Sequence, residues 1–342
     1  MAYPGVLDDL RTCARRRKPS RVPVFVLGEE FDVEQYGVDY REYIVSAERM
    51  VECQVQAVQR FDYDWILLHP DDYIEFEPLG VQTTAAERIP PAAVSHVPAT
   101  REALRALQLP DPTRDGRMPI HLEALSGIKS AFGDSLCVAG RVAAPFSSVG
   151  LLCGVQESLF LLRDDPDLFR DMMEFCGELT MVWAVAQIEA GADAIWLGDC
   201  VASSGFLSPQ HYADFAVEPA KWVSDAMRAD GAVVIYHAGE DSLAHLAVAA
   251  PHFEIINVGE GADLAQVKAA IGHQVCLSGN ADPIKLMNCS GLSQVEAETQ
   301  RIVEAGKPGG GYLFNTGEGI PRQTRPEVVQ AMVQTAQRCG RY

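Results

Sequence analysis

Long unbroken apolar runs are missing from this chain, so no segment reaches the roughly 20 residues that a membrane-spanning helix needs. The N-terminus shows no apolar signal-peptide core, and the basic cluster Arg15-Arg16-Arg17-Lys18 is too short and isolated for a targeting signal. Positive charge is scarce. The 28 Lys and Arg stand against 47 Asp and Glu, and a net charge of −19 counts against nucleic acid and anionic membrane as partners. The nine cysteines have no paired spacing, and an odd number without an export signal reads as reduced thiols in a cytoplasm. Repeats and low-complexity tracts are absent, as are a dinucleotide fingerprint after the first strand, His-Glu-x-x-His and paired Cys-x-x-Cys.

What is present is an alternation. Short runs such as Arg21–Gly28, Trp65–Pro70 and Ala232–Tyr236 read as strands, the last two buried on both faces. Five more follow, around residues 135–140, 194–198, 254–259, 275–279 and 311–316, nearly all separated by helical segments. Ser46 opens a helix to about Arg60, Asp165-Pro166 and Ser208-Pro209 open two others, and Thr324 to Glu327 reads as a capping box. Asp241 and Asp282 read as helix caps. Eight parallel strands with helical crossovers predict a closed (β/α)8 TIM barrel forming a single domain over residues 1–342. The proline-rich stretch 75–130 is expected to form an elaboration over the barrel mouth.

In such a barrel the chemistry sits where the strands end. The residues ending strands are Glu29 or Glu30, Asp71 or Asp72, Asp199, Cys200, His237, Glu260 and Glu318. An aspartate after a strand is often only a turn or cap, Cys200 can equally be core, and Glu260 in Gly-Glu-Gly reads as a loop carboxylate. His237 stands apart, because it closes a wholly apolar strand and precedes glycine. Glu318 lies between Gly317 and Gly319, which let backbone approach a ligand closely.

Several stretches, in order, resemble the uroporphyrinogen decarboxylase superfamily of (β/α)8 barrels: Ala144-Pro145-Phe146, Asp165-Pro166-Asp167-Leu168, Ala190-Gly191-Ala192-Asp193 through Asp199, Leu207-Ser208-Pro209, Gly279-Asn280-Ala281-Asp282-Pro283 and Thr316-Gly317-Glu318-Gly319-Ile320-Pro321. The decarboxylase branch implies arginines after the first strand, a catalytic Asp after the second and a His in the last loop. Here Asp71 or Asp72 fits, but the first strand runs into Glu29-Glu30 and the last loop carries Glu318. Carboxylates facing a polycarboxylate would repel it.

The second branch, methyltransferases that exchange a methyl group with a corrinoid protein, implies zinc ligands His-x-Cys after the fifth strand and Cys in the last loop. His237 is kept. Gly239 (or Glu240, with a one-residue slip) and Glu318 replace the cysteines. Harder oxygen ligands suit polarisation of an oxygen leaving group. The expected function is therefore O-demethylation, with an aromatic methyl ether as leading donor, the methyl passing to the Co(I) of cobalamin on a partner corrinoid protein. His237 and Glu318 are the expected Zn2+ ligands, with Cys200, Glu240 and Asp199 as further candidates. Asp71, Asp72 and Asp199 are the candidate catalytic carboxylates, and Asn280 the candidate cofactor-binding residue. A homodimer is the candidate assembly. The alternatives are a metal-free decarboxylase using Asp71 or Asp72 as acid, and a catalytically silent binding barrel.

Overall fold

The computed structural model describes residues 3–342. Ten strands run in chain order: β1 Val24–Phe25, β2 Trp65–Leu67, β3 Gln82–Ala86, β4 Ile89–Ser95, β5 Cys137–Ala143, β6 Ala194–Gly198, β7 Val233–His237, β8 Ile255–Asn257, β9 Cys276–Ala281 and β10 Tyr312–Thr316. Eight of them form one parallel sheet in the order β1-β10-β9-β8-β7-β6-β5-β2. Its ends meet where Asp64 N–H donates to Val24 O at 3.1 Å. Asp64 also accepts from Val24 N–H at 2.7 Å and pairs with Arg21 at 2.6 Å. The expected TIM barrel is thus present.

Alternation along each strand divides its apolar residues between two cores. Phe25, Trp65, Trp196, Ile235, Ile255 and Leu313 fill the barrel, while Val24, Ile66, Leu197 and Tyr236 face the helices. A helix that the sequence reading missed, Val6–Ala14, closes the opposite end of the barrel by packing Val6, Leu10 and Cys13 against this inner cluster.

Most helix starts follow their local chemistry. Ser46 Oγ accepts from Arg49 N–H, Asp165 from Leu168 N–H ahead of Pro166, and Asp282 from Lys285 N–H. Two expected starts differ. Asp241 accepts from Gly261 N–H at 3.0 Å and so tethers a loop; Ser242 occupies the cap position instead. Thr324 makes no capping box, because the helix begins at Pro326 and the Thr324 hydroxyl is buried without a partner. The stretch 75–130 also divides. An antiparallel hairpin, β3 with β4, and the helix Arg101–Ala106 are additions, whereas Met118–Phe132 is the crossover helix between β2 and β5 and belongs to the barrel itself. No single helix among the described residues is long and apolar enough to cross a membrane.

Candidate active site

His237 is the last residue of β7 and points into the barrel with Val233 and Ile235. Its ring is fixed from two sides. Nδ1–H donates to Asn257 Oδ1 at 2.9 Å, and the Trp196 ring lies 4.7 Å away, centroid to centroid. That leaves Nε2 facing the mouth, with Glu318 Oε1 at 3.8 Å. Burial pushes the imidazole toward neutrality, but the Cys200 sulfur hydrogen-bonded to it, the Glu318 carboxylate and Asn257 outweigh this and hold its pKa at about 9. Protonation of His237 is thus favoured over that of an ordinary imidazole, and its ring lies beside an indole face.

Glu318 reaches this position because its loop has almost no side chains. A Cβ on Gly317 would lie 2.6 Å from Glu260 Oε2, and one on Gly239 would start 3.2 Å from Glu318 Oε1. Both glycines are needed for the close approach. Burial, with Glu260, Glu29 and Asp241 nearby, raises the Glu318 pKa against the opposing pull of His237.

The other candidates lie elsewhere. Asp199 is fully buried behind the wall: Oδ1 accepts from Ser147 N–H at 3.1 Å and Oγ–H at 2.7 Å, and Oδ2 from Tyr236 O–H at 2.9 Å. Burial raises its pKa to about 6 against those donors. Glu240 turns away from His237 and accepts from Ser204 N–H at 2.7 Å, Ser204 O–H at 2.9 Å and Ser242 N–H, so it staples two loops. Asn280 Nδ2 donates to Gly259 O and Ala262 O at 2.9 and 2.8 Å, which makes it a loop anchor.

Asp71 and Asp72 are held by cations that the sequence reading did not single out. Asp71 takes both arms of Arg117, at 2.6 and 3.1 Å, plus Tyr73 N–H. Asp72 accepts from Arg141 and from His69 Nε2 at 3.2 Å, while Glu29 Oε1 meets His69 Nδ1 at 3.3 Å. Burial opposes ionisation of Asp72, yet Arg141 and His69 carry its pKa well below the usual carboxylate range. Asp72 is thus paired with two cations at the strand end rather than left free. Burial lowers the His69 pKa, but Asp72 and Glu29 raise it further, to about 10. No motif marks Arg141, Arg117 or His69; the parity of Arg141 with Cys137 and Ala139 along one strand is the signal that could have found it.

Catalytic zinc ordinarily has three protein ligands. His237 and Glu318 converge and Cys200 adjoins the imidazole, but Glu240 and Asp199 do not join them. Among the described residues no three His, Cys, Asp or Glu side chains are disposed to hold an ion.

Residues 7–339 match the family described as Uroporphyrinogen decarboxylase (URO-D). Curated relatives carrying the name uroporphyrinogen decarboxylase include those of Tolumonas auensis, 25% identical over 94% of this chain and 94% of the relative, and Nitrosococcus oceani, 26% identical over 93% and 92%. Among solved structures, a methyltransferase from Methanosarcina mazei superposes with a TM-score of 0.86 at 21% identity, covering 98% of this chain and 99% of its own. A B12-independent methionine synthase from Shewanella shares the fold at a TM-score of 0.60 and 9% identity, over 94% and 96%.

Proposed function

The chain belongs to the uroporphyrinogen decarboxylase family, and from that premise we propose that it demethylates an O-methyl donor and passes the methyl group to a corrinoid carried by a partner protein. The observation that carries this reading is the placement of His237, with Nδ1 tied to Asn257 at 2.9 Å and Nε2 at the mouth 3.8 Å from Glu318 Oε1. Breaking a methyl–oxygen bond leaves its electron pair on the oxygen, and a fixed acid stabilises that charge as it develops. Here the proton passes from His237 Nε2 to the leaving oxygen, the alcohol or phenol departs, and Glu318 helps restore the imidazolium from solvent. The partner's Co(I) corrinoid supplies the nucleophile that accepts the methyl group. Because no three His, Cys, Asp or Glu side chains among the described residues are disposed to hold an ion, the proposal gives the electrophile's role to the imidazole of His237 rather than to zinc.

Decarboxylation is the second reading, favoured by the name the curated relatives carry. Two features of this chain count against a polycarboxylate. Arg117 and Arg141 are already engaged by Asp71, Glu77 and Asp72, and the carboxylates of Glu29 and Glu260 lie near that of Glu318.

The products separate the two. Incubation with reduced cobalamin and a panel of methoxylated compounds is expected to give the methylcobalamin spectrum, lost in His237→Ala. Carbon dioxide from a porphyrinogen, without methyl transfer from any methoxylated compound, would overturn the proposal.

A further inference from the structure

The basic run Arg15-Arg16-Arg17-Lys18 takes no part in the chemistry of the mouth. It follows the Val6–Ala14 helix directly and so lies at the closed end of the barrel. All four residues are exposed. Among the described residues none of their side chains forms an ion pair or a hydrogen bond. Most other arginines meet a carboxylate, as Arg21, Arg88, Arg101 and Arg117 do. The carboxylates nearest in the sequence are already taken: Asp8 by Arg11 at 3.9 Å, and Asp9 by the Tyr3 hydroxyl at 2.8 Å and by Ser20. Cations in the last turn of a helix complement its dipole, which accounts for Arg15 at the cap position. Arg17 and Lys18 lie beyond that turn.

The backbone of the run is fixed while its side chains stay free. Arg16 N–H donates to Cys13 O at 2.8 Å and Arg17 N–H to Thr12 O at 3.0 Å. Gly311, which leads into β10, donates to Arg17 O at 3.1 Å. Glycine permits this contact: a Cβ on Gly310 would lie 2.4 Å from the Arg17 backbone, and one on Gly311 3.0 Å from Arg16 Cα. Lys268 Nζ holds the same loop, donating to Gly310 O at 2.5 Å and Gly311 O at 3.1 Å. Unpaired cations are thus gathered about one tethered turn.

We propose that this turn binds a compact polyphosphate, the chemistry shared by inorganic polyphosphate and nucleoside triphosphates. Three of the four cations are arginines, whose paired donors match phosphate oxygens. The rest of the chain sets the size of the ligand. Four residues span at most roughly 14 Å, and the net charge of the whole is −19. An extended polyanion would run off the turn onto a chain of its own sign, within a Debye length of about 8 Å. A single phosphate would reach too few of the cations. The site is independent of the chemistry at the mouth, which lies at the other end of the barrel.

The test uses the full chain, with inorganic tripolyphosphate and orthophosphate as probes, read by calorimetry at about 50 mM salt. Tripolyphosphate is expected to bind at least about tenfold more tightly than orthophosphate, and to weaken as salt is raised. The double variant Arg17→Gln with Lys18→Gln alters only exposed side chains and is expected to lose about tenfold or more in affinity. If it does not fold, Arg15→Gln decides. Arg105→Gln removes another exposed arginine without an ion pair and is expected to keep wild-type affinity. Adenosine triphosphate separates the two sources: equal or weaker binding than tripolyphosphate assigns the site to the phosphate chain alone, tighter binding to a nucleoside triphosphate. Equal affinity for tripolyphosphate and orthophosphate, no binding of either, or a folded variant of the run with wild-type affinity would overturn the proposal. So would tighter binding of single-stranded DNA, polyglutamate or phosphatidylglycerol vesicles, which would make the run a docking face for a larger anion.

Discussion

Replacing Glu318 by Gln tests whether the carboxylate and imidazole act as one unit. The two approach to 3.8 Å, with the imidazole buried and the Glu318 side chain about half exposed (51%). At such a distance a unit charge pair is worth about 1 kcal/mol in water and about 4 kcal/mol at an effective dielectric of 20. Half-exposure places this pair toward the lower end, at about 1.5 kcal/mol, or about one pKa unit. Glu318→Gln should therefore move His237 from about 9 toward roughly 8. It should not reach the ordinary value, because Cys200 and Asn257 remain. The midpoint is read from the imidazole C–H resonance followed by NMR, assigned with a His237→Asn variant. The alkaline limb of the methyl-transfer rate should move with it, since activity needs the protonated ring. Stability carries the same sign. A folded-state pKa above the unfolded value gives stabilisation that is complete below about pH 6.5 and fades as pH rises toward about 9. Glu318→Gln removes the upper part of that window. An unmoved NMR midpoint would refute the pairing, and an NMR shift without a moved rate limb would refute the acid role.

Arg21→Ala should cost about 3 kcal/mol in urea unfolding, because it leaves the fully buried Asp64 carboxylate without its cation at the seam between β1 and β2; a loss below about 1 kcal/mol would mean the seam does not depend on the pair. Gly317→Ala pushes a methyl group to 2.6 Å from Glu260 Oε2 and should destabilise by about 1–3 kcal/mol while lowering the His237 pKa, both measurable on one sample. Dialysis against a chelator is expected to leave methyl transfer unchanged; loss of rate restored by zinc would return the metal to His237 and Glu318.

The barrel was legible because its determinants are local. Each strand is a short apolar run, each crossover carries helical periodicity, and caps such as Ser46, Asp165 and Asp282 mark where helices begin. The Val6–Ala14 helix escaped notice for the opposite reason: its apolar residues matter only because an open barrel end needs closing. The crossover helix Met118–Phe132 was absorbed into the proline-rich stretch before it, where nothing local marks the boundary.

The site divides along the same line. Sequence alone singled out His237 and Glu318, since an ionisable group ending an apolar strand, or isolated between glycines, is unusual in itself. It could not tell Asp199, Glu240 and Asn280 from ligands, because their roles depend on partners distant in the chain: Ser147 and Tyr236, Ser204, and the carbonyls of Gly259 and Ala262. Nor could it find Arg141, an ordinary charge within a strand until the barrel sets it beside Asp72 and over Gly198. Residue type and spacing determined which elements form and which face each residue takes, because burial of apolar surface acts through short-range periodicity. Only the closed barrel decided which charges meet, because an ion pair depends on separation in space and on exclusion of water, and neither is written in the order of the chain.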